Sequence, residues 1–223
     1  MGVPEETERF AARTGPRPDR ILAEMERRAV RTGFPTVGPA VGGWLQQLAG
    51  LVGAERVFEF GSGFGYSAYW FVRALPAGGE VVLAELDAAE LDDARRYFER
   101  GGYAGRARFE RGDAIEIAAN CEGPFDAVLI DNEKRRYVEA FETIREAVPV
   151  GGVVVADNVI EGPFAFGTLR RVLEGSGDDT DGERHADAAR GIGAYLDHVG
   201  SLERFETTLL PLGEGLAVSR RRR

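Results

Sequence analysis

At 223 residues, 43% of them hydrophobic, the chain is long enough to bury one substantial core and too apolar for global disorder. A formal net charge of −9 weighs against tight non-specific binding to nucleic acid or anionic membranes. The single cysteine, Cys121, excludes an internal disulfide and, with no apolar segment near Met1 and no run of ~18 apolar residues, predicts a cytoplasmic protein outside the membrane.

Residues 1–18 are polar and charged and read as frayed or partly helical, the start of an N-terminal helical extension over 1–35. Pro16 and Pro18 precede a helix over 19–32, whose Ile21, Leu22, Met25 and Ala29 recur at helical spacing. A Gly/Pro loop over 33–39 leads to a second helix over 39–52. From Arg56 onward strands and helices alternate. Strands are expected at 57–60, 80–85, 107–110, 125–130 and 152–156, and helices at 67–75, 88–101, 115–119 and 136–148, with Asp87 capping the second of these. Val81-Val82-Leu83-Ala84 and Gly152–Ala156 are continuously apolar, as buried parallel strands are. The segment 174–189 is acidic, Gly-rich and aperiodic. It reads as an exposed insertion, the alternative being a lid. A helix over 193–202 follows, then an antiparallel pair at 205–210 and 215–219 joined by a turn, and Arg220–Arg223 reads as a frayed basic tail. The pattern is an α/β fold with a doubly wound, mostly parallel sheet and a C-terminal antiparallel pair, forming a single domain over 1–223.

Ligands of such sheets lie beyond the carboxyl ends of the strands. After the first strand, Gly61, Gly63 and Gly65 allow close backbone approach, and the helix start at Ser67 can aim N–H groups at a carboxylate. The spacing is not that of a dinucleotide loop, because the position for its third glycine holds Tyr66. Glu59, inside the strand, would repel a pyrophosphate but suits a cationic ligand such as an amino group or a sulfonium. Glu85, ending the second strand, suits the two hydroxyls of a ribose. Gly112-Asp113-Ala114 suits the wall around an adenine, though Gly-Asp is also ordinary turn chemistry.

The fourth and fifth strands end at Asp131 and at Asp157-Asn158. These three oxygen donors suit a hard cation of the Mg²⁺ type, while the alternative has both acids capping helices or turns. His185, His198 and the lone cysteine offer no zinc set. Lys134 is the only lysine in a chain that otherwise uses arginine. Arginine scarcely ever gives up its proton, whereas a lysine can be tuned into a base.

Together the strings Val37-Gly38-Pro39, Glu59-Phe60-Gly61 through Ser67, Gly112-Asp113-Ala114, Ile130-Asp131, Lys134 with Tyr137, Gly151 through Asn158 and Leu210-Pro211-Leu212-Gly213 resemble the metal-dependent class I O-methyltransferases of the catechol and caffeoyl-CoA type. The resemblance runs from Thr36 to the C-terminal strands. It implies S-adenosyl-L-methionine as cofactor, with Val37, Glu59, Gly61, Ser62, Gly65, Ser67, Glu85, Asp113, Ala114 and Asp131 around it, Glu59 at its amino group and Glu85 at its ribose. It implies Mg²⁺ or another divalent cation on Asp131, Asp157 and Asn158, with Lys134 and Asp131 catalytic and Lys134 taking a hydroxyl proton. The expected acceptor is a catechol-like or other hydroxylated small molecule. Asn132 and Glu133 stand where the family commonly has Ala-Asp, which bears on that acceptor. Two alternatives stay open. One is a hydroxylated tRNA base, which a basic pocket rim would favour. The other is a cofactor-binding protein without turnover, which the retained Lys134 opposes. A homodimer through the N-terminal helices is expected.

Overall fold

A computed structural model describes residues 4–175 and 183–223. The sheet grows outward from β1 (Arg56–Phe60), which pairs in parallel with β2 (Glu80–Glu85) on one side and β4 (Ala127–Ile130) on the other. β3 (Ala107–Arg111) extends it beyond β2, and β5 (Val153–Ala156) beyond β4. An antiparallel hairpin of β6 (Phe205–Leu210) and β7 (Leu216–Arg221) completes the order β3-β2-β1-β4-β5-β7-β6. The chain winds from β1 to one edge and then restarts at β4, so the loops after β1 and β4 part over a crevice where ligands of this architecture bind.

The apolar strands explain the two layers of helices. Successive strand residues point to opposite faces, so a fully apolar strand needs cover on both. Val57, Val81, Leu83, Leu129 and Val155 face α2 (Arg20–Thr32), α3 (Gly38–Leu51), α4 (Tyr66–Ala74) and α5 (Ala88–Gly101). Phe58, Val82, Val128, Ile130 and Val154 face α6 (Ala114–Asn120), α7 (Tyr137–Ile144), α8 (Phe166–Leu173) and α9 (Glu183–Ser201). Each fully buried phenylalanine here, such as Phe58, Phe98 or Phe141, contributes on the order of 1.5–3 kcal/mol by burial. Local signals start and stop the helices. Asp19 accepts from the Leu22 N–H at 2.9 Å and Asp87 from the Ala89 N–H at 2.8 Å, while Gly33 and Gly102 end their helices in the left-handed conformation.

Residues 1–18 are partly helical, as expected: Glu5–Thr14 form α1, lying against α3. Other expectations need correction. Phe166–Leu173, assigned no structure from sequence, is α8. The insertion expected over 174–189 is helical from Glu183, so α9 starts ten residues earlier than the helix expected at 193; residues 176–182 of that insertion lie outside the described residues. The terminal arginines are not a frayed tail. β7 runs through Arg221, whose guanidinium donates to the Val148 carbonyl at 2.6 Å and the Arg145 carbonyl at 3.1 Å.

Candidate active site

A cavity of about 1010 Å³ opens over the carboxyl ends of β1, β2, β4 and β5. Of the residues singled out from sequence, Val37, Gly61, Ser62, Ser67, Glu85, Asp113, Ala114, Asp131, Lys134, Asp157 and Asn158 line it. Glu59 and Gly65 do not. Gly65 opens α4 with φ 81°, and a Cβ there would press on Ala94, Leu83 and Phe98, so its position serves the packing of α4 on the sheet.

The loop after β1 is shaped by close approach. A Cβ on Gly61 would lie 2.7 Å from the Asp131 carbonyl, and one on Gly63 2.8 Å from the Phe34 ring. Both glycines also have positive φ, of 79° and 50°. Glu85 ties this loop to β2: one oxygen accepts from the Gly63 N–H at 2.8 Å, the other from the Asp87 N–H at 2.9 Å. Each oxygen keeps a second lone pair for a ligand hydroxyl. Ser67 donates its hydroxyl to Glu59, which is fully buried and whose second oxygen has no partner. Burial pushes the Glu59 carboxyl up to about 8, offset in part by Ser67 and reinforced by the charges of Asp131 and Glu85. Ser62, 5% exposed, also has a hydroxyl without a partner. These two orphaned polar groups, with a loop that admits no Cβ, fit a polar, positively charged ligand lying on the loop. The Asp113 carboxylate is already committed. It caps α6 through the Ile115 N–H at 2.9 Å and pairs with Arg136, which holds it below the usual carboxylate range.

At the other end, Lys134 stands on a 3₁₀ turn (Lys134–Arg136) between β4 and α7. Its Nζ donates to Asp131 Oδ1 at 2.8 Å and to the Tyr137 hydroxyl at 2.7 Å. Burial raises the Asp131 carboxyl while the Lys134 amine pulls it back. Asp157 is 5% exposed; burial first, then the Asp131 charge, raises it to about 7. Asn158 follows with φ 57°, a left-handed conformation that asparagine tolerates better than most residues. Its side-chain nitrogen donates to Glu214. A carboxylate only accepts, so the Asn158 nitrogen is the atom turned to Glu214, which leaves the amide oxygen as the acceptor for another partner. Two acids whose charges act on each other, buried Asp157 and half-buried Asp131, beside an amide oxygen, fit a hard cation that would relieve their repulsion. Among the described residues no three His, Cys, Asp or Glu side chains are grouped to hold a metal, so such a site rests on two acids and an amide.

Glu214 escaped the sequence reading, which took Pro211–Glu214 as a mere turn. Its carbonyl accepts from the Ile160 N–H at 3.0 Å and the Glu161 N–H at 2.9 Å, fixing the loop after Asn158. An acid between two glycines in a hairpin was the only available signal. Glu8 of α1, Glu133, Glu161 and Glu214 make the rim acidic, and Arg136 on that rim is engaged by Asp113 and Glu139.

The O-methyltransferase family model matches residues 14–222, and the chain belongs to that family. It is similar to the catechol O-methyltransferase of Niastella koreensis, 35% identical over 148 residues, which cover 64% of this chain and 66% of that protein. The chain thus spans just under two thirds of that relative's length. Among solved structures it resembles cofactor-bound Rv0187 from MTB, at 27% identity and a TM-score of 0.82 over 100% of this chain and 99% of that one. It shares its fold with the O-methyltransferase from Bacillus cereus in complex with SAH, at 24% identity and a TM-score of 0.82, covering 97% of each chain. No helix among the described residues is long and apolar enough to cross a membrane.

Proposed function

We propose that the chain is an S-adenosylmethionine-dependent O-methyltransferase, assisted by a divalent cation and acting on a catechol-like or other hydroxylated small molecule. The observation that carries this reading is the Lys134 amine, held by Asp131 at 2.8 Å where the glycine loop of β1 meets the Asp131–Asp157–Asn158 corner. S-adenosylmethionine would supply a methyl group on a sulfonium. Glu85 would hold its ribose, and the Gly61–Gly63 backbone, with Ser62 and the Glu59 oxygen beneath, would receive its polar end. A divalent cation on Asp131, Asp157 and Asn158 would lower the pKa of a hydroxyl brought beside it.

The chain's own residues do the rest. The acceptor hydroxyl gives its proton to Lys134, and its oxygen takes the methyl group as the sulfur–methyl bond breaks with its electron pair staying on sulfur. Asp131 keeps the amine at the crevice, and the cavity walls hold oxygen and methyl in line. The acidic rim favours a small acceptor over a nucleic acid, whose phosphates it would repel.

The test is production of S-adenosylhomocysteine from a catechol probe, with Mg²⁺ and with EDTA. The expected result is turnover that EDTA abolishes while S-adenosylmethionine still binds. Equal turnover in EDTA removes the cation from the reading, and binding without turnover on any hydroxylated probe removes the catalysis. Lys134→Ala is expected to lower kcat by about 10²–10⁴-fold, the usual worth of a general base, with cofactor affinity nearly unchanged. Asp157→Ala should leave no activity that Mg²⁺ stimulates.

A further inference from the structure

Tyr137 is a polar group at the Lys134 cluster that the reaction, as written above, does not use. It lies on the first turn of α7, fully buried, with its ring edge-on to Tyr195 at 5.7 Å between centroids. A phenylalanine would fill the same volume without bringing a hydroxyl that burial makes costly to leave unsatisfied. The hydroxyl is instead bonded on both sides. It donates to the Asp157 carbonyl at 3.1 Å and accepts from Lys134 Nζ at 2.7 Å. The Asp157 carbonyl can only accept, so the phenol proton points at it. That one proton is spent on Asp157, and toward Lys134 the oxygen can only accept.

The consequence is directional. A neutral amine has two hydrogens and one lone pair in a tetrahedral array. With its hydrogens aimed at Asp131 and Tyr137, the lone pair has one direction left. With Asp131 alone, the amine could swing about a single contact. We infer that Tyr137 is a positioning residue. Its hydroxyl, anchored on the backbone at the end of β5, fixes the Lys134 lone pair toward the acceptor hydroxyl. The inference rests on Lys134 being the base.

Because Lys134 is the only lysine, protein labelled with ¹³Cε-lysine carries a single reporter. In the wild type the two Hε protons are expected at distinct shifts, as in an immobilised side chain. In Tyr137→Phe they should collapse toward one averaged signal. Kinetically, Tyr137→Phe should lower kcat on the catechol probe about tenfold, equivalent to ~1.4 kcal/mol. KM for cofactor and acceptor should stay within about twofold, the split expected of a contact that matters in the transition state. A role limited to core packing would lower the melting temperature and leave that split and the averaged signal unseen. An unchanged Hε pair in the variant, or kcat within about twofold of wild type, overturns the inference. Should Tyr137→Phe fail to fold, averaged Hε protons in the wild type alone overturn it, and distinct ones support it. If the wild type turns over no hydroxylated probe, the proposed function fails on that arm, while the lysine signal still decides whether Tyr137 holds the amine.

Discussion

Glu59 shows how much one buried carboxyl can tell about the unliganded chain. Its ordinary value of 4.5 rises to about 8 in the fold, chiefly through burial. Between those limits the folded chain keeps a proton that the unfolded chain has released, so the unfolded state binds fewer protons and stability falls as pH rises. Without cofactor, the melting temperature is expected to drop between pH 5 and pH 8. Asp157, raised to about 7, contributes with the same sign. Glu59→Gln should therefore shrink the slope without abolishing it, and calorimetry that finds parallel slopes would remove Glu59 as a source. A cationic ligand beside Glu59 would favour its ionised form, so cofactor should flatten the wild-type slope as well.

Helix α9 matters to the site although none of its described residues lines the cavity. A Cβ on Gly191 would fall 2.5 Å from the Lys134 carbonyl and 2.6 Å from the Arg135 Cα, so α9 rests directly on the turn that carries Lys134. Gly191→Ala, harmless to a helix by propensity, is expected to push that turn away. Turnover should fall at least about tenfold, the effect of a displacement costing ~1.4 kcal/mol in the transition state, with S-adenosylmethionine affinity retained. Wild-type kcat in this variant would show that the turn tolerates the shift. This contact was not legible in the sequence, because it joins residues 57 positions apart and nothing there sets Gly191 apart from Gly193 two residues on. The strands were legible, since continuous apolar runs between turns leave few other readings, and they place Asp131, Lys134 and Asp157 at the carboxyl ends of β4 and β5. α8 was missed because it is eight residues long, has no side-chain cap and follows a Gly-Pro pair. Glu214 was missed because a residue in a hairpin turn reaches Asn158 only once β7 has paired with β5.

For the molecule as a whole, ligand and fold are linked. S-adenosylmethionine at one hundred times its Kd should add about 2.7 kcal/mol, or about 5–10 °C in melting temperature for a chain of this size. A shift that is absent at saturating cofactor would remove cofactor binding from the proposal. The walls of the cavity come from far apart in the chain: Glu8 belongs to α1, the glycine loop follows β1, and Gly213 and Glu214 form the turn between β6 and β7. That last turn accepts the Val159, Ile160 and Glu161 N–H groups and so holds the loop carrying Asn158. A chain growing from its amino end at about 5–20 residues per second can build the parallel strands and the glycine loop before the hairpin exists. The Asp157–Asn158 corner must wait for it. On the proposed function, a growing chain should therefore shape the crevice at the glycine loop first and the Asp157–Asn158 corner last, with no turnover until β6 and β7 have docked.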